Sequence, residues 1–138
     1  MRKMSELVRN QNPLILPPSA TAKEACRSMR ERRVGAVLVV EANGKLVGVF
    51  TGRDAVCRVL AEGKDPAATR LSEVMTPKPT TVAPRSTAIE ALRLMADCGC
   101  RHLPVVDAGK VLGMVSKGDF RGLEQDRLDE ESGLWERI

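Results

Sequence analysis

The sequence is poor in aromatic residues and in histidine. Its 138 residues include no tyrosine, two phenylalanines, one tryptophan and one histidine, His102. Proteins that bind single-stranded nucleic acids stack the bases on aromatic side chains, so this composition argues against that class. A single histidine also argues against a metal site built from several imidazoles.

No long apolar segment is present. The longest run of apolar residues and glycine, 34–40, has seven residues, far short of the roughly 20 that cross a bilayer. The charged N-terminus is not followed by the apolar stretch of a signal peptide. We therefore expect a cytoplasmic protein that does not associate with membranes.

The phosphate-binding motifs of common nucleotide-dependent enzymes are also missing. Neither Gly-x-x-x-x-Gly-Lys-Ser/Thr nor Gly-x-Gly-x-x-Gly occurs, which argues against P-loop hydrolysis and dinucleotide redox chemistry. The four cysteines suit a disulfide-free cytosolic protein. Cys98, Cys100 and His102 provide only three soft ligands at a spacing that zinc seldom uses, so the sequence favours reduced thiols over a metal site.

What the chain does contain is an internal repeat. When residues 21–54 are placed over 87–119 with one gap at Asn43, thirteen of 33 aligned pairs are identical. Average composition would give roughly two. The preceding segments match as well, since Ser5-Glu6 corresponds to Ser72-Glu73. The sequence is therefore a duplication of one supersecondary unit, and two such units must pack together to bury their sheets.

Each copy is predicted to form a β-α-β-β-α unit, giving an α+β fold with pseudo-two-fold symmetry. A capping box, Thr21-x-x-Glu24 or Thr87-x-x-Glu90, predicts the start of a helix because its side chains satisfy free backbone N–H groups. Short β-branched segments and turns predict strands at 14–16, 36–40 and 46–50 and at 80–82, 103–106 and 111–115, with further helices from about Gly52 and Lys117.

These elements set the predicted domain bounds. Residues 5–60 form the first repeat, 61–71 a linker, 72–121 the second repeat, and 122–138 a helical tail. The first helix is expected to bury Ala25, Cys26 and Met29.

Several segments resemble the CBS domain, named after cystathionine β-synthase. They are Met75-Thr76-Pro77, Arg101-His102-Leu103-Pro104-Val105-Val106-Asp107 and Gly113-Met114-Val115-Ser116-Lys117-Gly118-Asp119 in the second copy, and Gly44-Lys45-Leu46-Val47-Gly48 and Thr51-Gly52-Arg53-Asp54 in the first. The resemblance covers about residues 5–121 and is specific because the duplicated set occurs in order.

The resemblance implies a tandem CBS pair, a regulatory module rather than an enzyme. Such a pair binds an adenosyl ligand (ATP, ADP, AMP or S-adenosylmethionine) in a cleft between the repeats, requires no cofactor, forms a homodimer and signals to a partner enzyme or transporter. The family motif Gly-x-x-Thr-x-x-Asp contacts phosphate and ribose, which implies Thr51 with Asp54 and Ser116 with Asp119. A carboxylate can accept both hydroxyl protons of a ribose diol, which gives this assignment a physical reason.

The remaining implied contacts concern phosphate and adenine. Arg53 and Lys117 would face phosphates. Adenine would lie against the first two strands of either repeat, near Leu16, Gly35, Ala36 and Val37 or near Thr81, Val82, Arg101, His102 and Pro104. The first repeat lacks the Arg-His-x-Pro sequence of the second, and this loss of a polar contact argues against equal occupancy of the two sites.

Other interpretations stay open. The two Ser/Thr-x-x-Asp segments are also ordinary helix caps, and a cap can be partly released to a ligand. The chain could instead be a structural adaptor that dimerises with empty clefts. A third interpretation is nucleic-acid binding by the basic half of the chain: residues 1–70 carry 13 basic and 7 acidic side chains, and 71–138 carry 9 and 11. The low aromatic content makes it the weakest of the three.

Overall fold

The computed structural model describes residues 2–120, which form two compact units. The first-repeat unit consists of residues 12–79 together with 109–111. The second-repeat unit consists of residues 2–11, 80–108 and 112–120. The predicted bounds 5–60, 61–71 and 72–121 divide the chain by sequence and stay a prediction, and the predicted tail lies outside the described residues.

Both units combine helices with strands, so the predicted α+β class is confirmed. In chain order the elements are α1 (Met4–Leu7), β1 (Ile15–Leu16), α2 (Ala22–Arg32), β2 (Ala36–Val40), β3 (Leu46–Thr51), α3 (Gly52–Asp54), α4 (Leu71–Val74), β4 (Thr76–Pro77), α5 (Ala88–Cys98), β5 (His102–Asp107) and β6 (Lys110–Ser116). A π-helical segment, Ala55–Leu60, continues α3, and a 3₁₀ turn, Lys117–Asp119, follows β6.

The first-repeat unit is built on a four-stranded sheet in the order β1-β2-β3-β4. Strands β1 and β2 are parallel, whereas β2 with β3 and β3 with β4 are antiparallel. The core between this sheet and the helices contains Ala25, Val37, Val39, Phe50 and Leu71. Because β2 is buried along almost its whole length, its run of small and β-branched residues does not alternate with polar ones.

The second-repeat unit has the β5–β6 hairpin and helix α5 at its centre. Val82 forms an isolated parallel bridge with Val105, so the segment predicted as a strand at 80–82 is reduced to one paired residue. The core is formed by apolar side chains of the helices and strands: Met4, Val82, Leu92, Met95, Leu103, Val105, Val115 and Phe120.

The two long helices begin at the predicted capping boxes. Thr21 Oγ1 accepts from Glu24 N at 3.1 Å, and Glu24 Oε2 accepts from Thr21 N at 3.1 Å, with the same arrangement before α5. The prediction that Cys26 is buried beside Ala25 and Met29 is wrong for Cys26, which is exposed. Successive helical residues point about 100° apart, which turns Cys26 away from the face that carries Ala25.

Each unit contains the leading segment of the other repeat. Helix α1 packs in the second-repeat unit, where Met4 N donates to Ser86 O at 3.0 Å and Met4 is completely buried. Helix α4 packs in the first-repeat unit, where Leu71 N donates to Ala20 O at 2.8 Å. The segment predicted as a linker also folds onto α2, since Thr69 O accepts from Ala22 N at 2.8 Å.

The expectation that all cysteines are reduced is wrong for one pair. Cys98 and Cys100 form a disulfide between the end of α5 and the start of β5, with their Cα atoms 5.3 Å apart. Gly99 between them has a left-handed backbone conformation with φ of 66°, which brings the two flanking side chains to one side. Cys26 and Cys57 are free thiols. Within residues 2–120, no helix has the length and apolar character needed to cross a bilayer.

Candidate functional site

The first candidate site lies where β3 of the first-repeat unit turns into α3. Thr51 is the last residue of β3 and caps the helix, because its Oγ1 accepts from Asp54 N at 3.2 Å. Asp54 completes the capping box, because its Oδ2 accepts from Thr51 N at 3.0 Å. The motif therefore places a hydroxyl and a carboxylate side by side at the first helical turn.

The Asp54 carboxylate is enclosed by two further side chains. Thr76 Oγ1, on β4, donates to Asp54 Oδ1 at 3.2 Å. Arg58 Nε lies 3.5 Å from the same oxygen, and Arg58 also donates to the carbonyl oxygen of Met75 at 2.7 Å. As a result Asp54 is only 6% exposed, although Gly52 and Arg53 in the same turn are exposed.

The second candidate site repeats this motif at the end of β6. Ser116 N donates to Asp119 Oδ2 at 2.7 Å, and Ser116 Oγ lies 3.3 Å from the same oxygen. Asp119 is exposed. Among residues 2–120, only Ser116 donates to its carboxylate, and Oδ1 receives no hydrogen bond from that part of the chain.

The two sites differ in the segment that lies beside the second strand of the hairpin. In the first-repeat unit, Thr76 of β4 pairs with Val49. The repeat alignment matches Val49 with Met114, and no strand among residues 2–120 pairs with Met114 on that side. Instead the side chain of Gln11 pairs with it: Gln11 Oε1 accepts from Met114 N at 2.8 Å and Gln11 Nε2 donates to Met114 O at 2.7 Å. An amide side chain thus takes the place that β4 holds in the other unit.

The structure brings some of the predicted first-repeat residues together. Ala36 pairs with Thr51, and Gly35 O accepts from Gly52 N at 3.2 Å, so Gly35 and Ala36 lie beside the motif. Arg53 is exposed in the same turn.

Two other predicted residues of this unit do not lie at the surface beside the motif. Leu16 pairs with Val39, three register positions from Ala36, which corresponds to about 10 Å along the sheet. Val37 is completely buried in the core. Neither side chain lies with the motif on the surface.

In the second-repeat unit, too, only some of the predicted residues lie beside the motif. Arg101 O accepts from Lys117 N at 2.8 Å, which places these two basic residues next to each other at the motif. His102 follows and is half-buried. Val82 and Pro104 are buried in the core and joined by the hydrogen bond from Val82 N to Pro104 O at 2.9 Å, whereas Thr81 is exposed.

The environment of His102 shifts its pKa. Burial lowers the pKa of His102 below its ordinary value of 6.5, because the half-buried ring loses hydration that would favour its charged form. The Asp119 carboxylate acts in the opposite direction, and the positive charge of Arg101 lowers the pKa further. The imidazole is therefore neutral at pH 7 and can both donate and accept a hydrogen bond.

A family model of the CBS domain matches residues 4–60 and 71–125. The chain belongs to the CBS domain family. The two matched segments confirm the predicted tandem CBS pair.

Relatives and solved structures of CBS proteins cover most of this chain. The CBS domain-containing protein CBSCBSPB3 of Arabidopsis thaliana is 41% identical over 108 residues, which is 78% of this chain and 19% of the plant protein. The chain therefore spans about a fifth of that relative's length. The CBS domain protein PAE2072 of Pyrobaculum aerophilum, solved in complex with AMP, has a TM-score of 0.82 and 25% identity, covering 94% of this chain and 99% of that one. A hexameric CBS-CP12 protein from bloom-forming cyanobacteria has a TM-score of 0.78 and 28% identity, covering 86% and 69%.

Three residues around the motifs of this CBS pair were not predicted from the sequence. Arg58 could have been found, because it lies four residues after Asp54 and such pairs meet on one helix face. Thr76 belongs to the Met-Thr-Pro segment that supported the resemblance, but its contact with Asp54 spans 22 residues and has no local signal. Gln11 gives no sequence signal for its pairing with Met114, which is 103 residues away.

The described part of the CBS pair contains no cluster of metal ligands. Within residues 2–120, no group of three or more histidine, cysteine, aspartate or glutamate side chains is arranged to hold an ion. Cys98 and Cys100 are joined to each other, so neither provides a thiolate.

Proposed function

We propose that this CBS pair is a regulatory module that binds an adenine nucleotide or a related adenosyl ligand at a Ser/Thr-x-x-Asp motif. The observation that carries the proposal is the motif geometry, which joins a hydroxyl and a carboxylate at one strand end, before a helical turn. The AMP bound by the Pyrobaculum relative, which shares this fold, supports the same ligand class.

Each part of the motif fits a different part of such a ligand. A carboxylate can accept hydrogen bonds from both hydroxyl groups of a ribose, which neutral acceptors do less strongly. The hydroxyl can donate to a phosphate oxygen. At the second-repeat motif, the exposed side chains of Arg101 and Lys117 add positive charge for the phosphates.

The adenine ring can be held without aromatic residues. Beside the motifs, the sheet offers the backbone of the exposed Gly35 in the first unit and the half-buried side chain of His102 in the second. The neutral imidazole of His102 has one donor and one acceptor for the base edge.

The regulatory step follows from linkage. A ligand shifts a conformational equilibrium only to the extent that it binds one conformation more tightly than the other. We infer that occupancy of the motif changes the population of a conformation that a partner enzyme or transporter recognises, and that the chain acts as a homodimer without catalysing a reaction.

A binding panel tests the proposal. The protein is titrated calorimetrically with AMP, ADP, ATP and S-adenosylmethionine, with GMP and inorganic phosphate as comparisons, and its melting is followed in parallel. A ligand present at a hundred times its Kd stabilises the folded state by about 2.7 kcal/mol, which raises the melting temperature by several degrees. We expect saturable binding of at least one adenosyl compound and none of phosphate alone.

Two double variants distinguish the effect of removing the motif aspartates from the effect of removing negative charge in general. Asp54→Ala with Asp119→Ala is expected to abolish binding. Asp97→Ala with Asp107→Ala removes the same charge from exposed positions outside the motifs and is expected to bind like the wild type. The proposal is contradicted if no adenosyl compound binds, and a steeply salt-dependent interaction with RNA in place of nucleotide binding would favour the nucleic-acid interpretation.

A further inference from the structure

We infer that only Asp119 is available to a ribose diol, that Asp54 is held by its own unit, and that each chain consequently binds one nucleotide. This inference rests on the proposed function, because it assigns the ligand to one of the two motifs. The contacts of Asp54 and Asp119 differ, although the two residues belong to copies of the same motif.

The acceptor sites of Asp54 are already used. A carboxylate has about four lone-pair positions for hydrogen bonds. Asp54 Oδ2 accepts from Thr51 N and from Thr51 Oγ1 at 3.2 Å, and Oδ1 accepts from Thr76 Oγ1 and lies next to Arg58 Nε. A ribose could bind this carboxylate only by displacing partners that come from β3, β4 and the following helix.

These partners are themselves fixed. Thr76 lies on β4, whose pairing with β3 holds its hydroxyl over the carboxylate. Arg58 is tied by its second hydrogen bond, to Met75 O at 2.7 Å. Displacement would therefore cost the hydrogen bond from Thr76 and the ion pair with Arg58, and the low exposure of Asp54 leaves a ligand no approach until these side chains move.

Asp119 has no corresponding enclosure in the described part of the chain. The threonine hydroxyl of β4 has no counterpart, because the segment beside β6 contributes Gln11, whose amide oxygen and nitrogen are both engaged by Met114. The arginine four residues after Asp54 also has no counterpart, since residue 123 is leucine. The carboxylate is exposed, and its Oδ1 has no donor among residues 2–120.

The charges beside the two motifs point to the same copy. In the repeat alignment Arg101, His102 and Lys117 correspond to Gly35, Ala36 and Gly52. Arg101, His102 and Lys117 therefore lie beside Asp119, whereas at the first-repeat motif Arg53 is exposed and Arg58 is paired with Asp54. The second-repeat copy thus combines an exposed carboxylate with two exposed basic side chains and a half-buried imidazole.

The stoichiometry of AMP binding tests the inference. Calorimetric titration of the full chain is expected to give one AMP per chain. Asp119→Asn, which keeps the side-chain shape and removes the charge, is expected to weaken AMP binding by about tenfold or more, because charge-assisted hydrogen bonds are the strong ones. Asp54→Asn is expected to leave one AMP bound with an affinity close to that of the wild type and to lower the melting temperature more than Asp119→Asn does.

Thr76→Val provides a second test that leaves both aspartates intact. It removes the donor to Asp54 at nearly constant volume, and we expect it to lower the melting temperature while one AMP still binds. If Asp54→Asn does not fold, this variant decides the stoichiometry. Two AMP molecules per wild-type chain, or equal losses of affinity in Asp54→Asn and Asp119→Asn, would overturn the inference and leave the proposed function standing, whereas a lack of binding by every adenosyl compound would overturn both.

Discussion

Replacing Gly48 with alanine introduces a methyl group into the contact between β3 and β4. A Cβ atom at this position would lie 2.9 Å from the carbonyl oxygen of Thr76 and closer still to the sulfur of Met75. The methionine side chain is flexible and can move, but the carbonyl belongs to the backbone of β4, which pairs with β3 at this point. The strand edge must therefore shift to accept the variant.

The cost of this shift can be estimated from the contacts. Overpacking a tight site costs about 1–3 kcal/mol. For a chain of this length each kcal/mol lowers the melting temperature by about 4 °C, so Gly48→Ala is expected to melt about 4–12 °C below the wild type. Gly113→Ala in the other unit is expected to lose at least as much, because its Cβ would lie 2.7 Å from Val8 Cβ, an atom that cannot move without α1.

Gly52→Ala is the matched control for a thermal melt followed by circular dichroism. No atom lies within 4 Å of its Cβ position, so the variant is expected to melt within about 2 °C of the wild type, as surface substitutions usually do. The reasoning would be refuted if Gly48→Ala melted at the same temperature as Gly52→Ala, because β4 could then not be packed against β3 as closely as the contacts indicate.

Two further predictions concern titration and thiol chemistry. Because burial lowers the pKa of His102 below 6.5, the unfolded chain binds a proton that the folded chain does not, and stability should fall as the pH is lowered from about 7 through 6.5. Urea unfolding between about pH 7 and 5.5 is expected to show this slope in the wild type and a flatter one in His102→Gln, and equal slopes would show that another group is responsible. Alkylation under denaturing conditions should modify two cysteines without a reductant and four after reduction, as counted by mass spectrometry, because Cys98 and Cys100 are joined while Cys26 and Cys57 are free. Four modified residues without a reductant would contradict the disulfide.

The parts of the fold that could be predicted from the sequence are those specified locally. The capping boxes at Thr21 and Thr87 and the two hairpins depend on residues a few positions apart, and they form where the sequence places them. The partners of the leading segments could not be predicted in this way. Helix α1 packs with the second repeat and α4 with the first. These partners are determined by contacts between residues that lie some 50 to 80 positions apart in the sequence.

The residues of the candidate site could likewise be predicted only in part. Repetition of the motif was enough to indicate Asp54 and Asp119, and the pairing of β2 with β3 brings Gly35 and Ala36 beside the first of them as the β-hairpin requires. Leu16 lies elsewhere because the register of β1 against β2 depends on the whole sheet. For Cys98 and Cys100 we predict reduced thiols from the sequence because we expect a cytosolic protein. The structure instead contains a disulfide between them, which the left-handed Gly99 permits at this short spacing.

The comparison of the two motifs shows why a helix cap and a ligand site cannot be separated by sequence alone. Thr51 with Asp54 and Ser116 with Asp119 share the same reciprocal contacts, since in both pairs the aspartate accepts from the backbone N–H of the hydroxyl residue. Those contacts stabilise a helical turn whether or not a ligand is present. The difference arises outside the motif. Thr76 donates a hydrogen bond to Asp54, whereas Gln11 in the other unit is hydrogen-bonded to Met114 and not to Asp119. A duplicated motif can therefore keep its capping role in both copies while a change in one adjacent segment leaves only one copy free for a ligand.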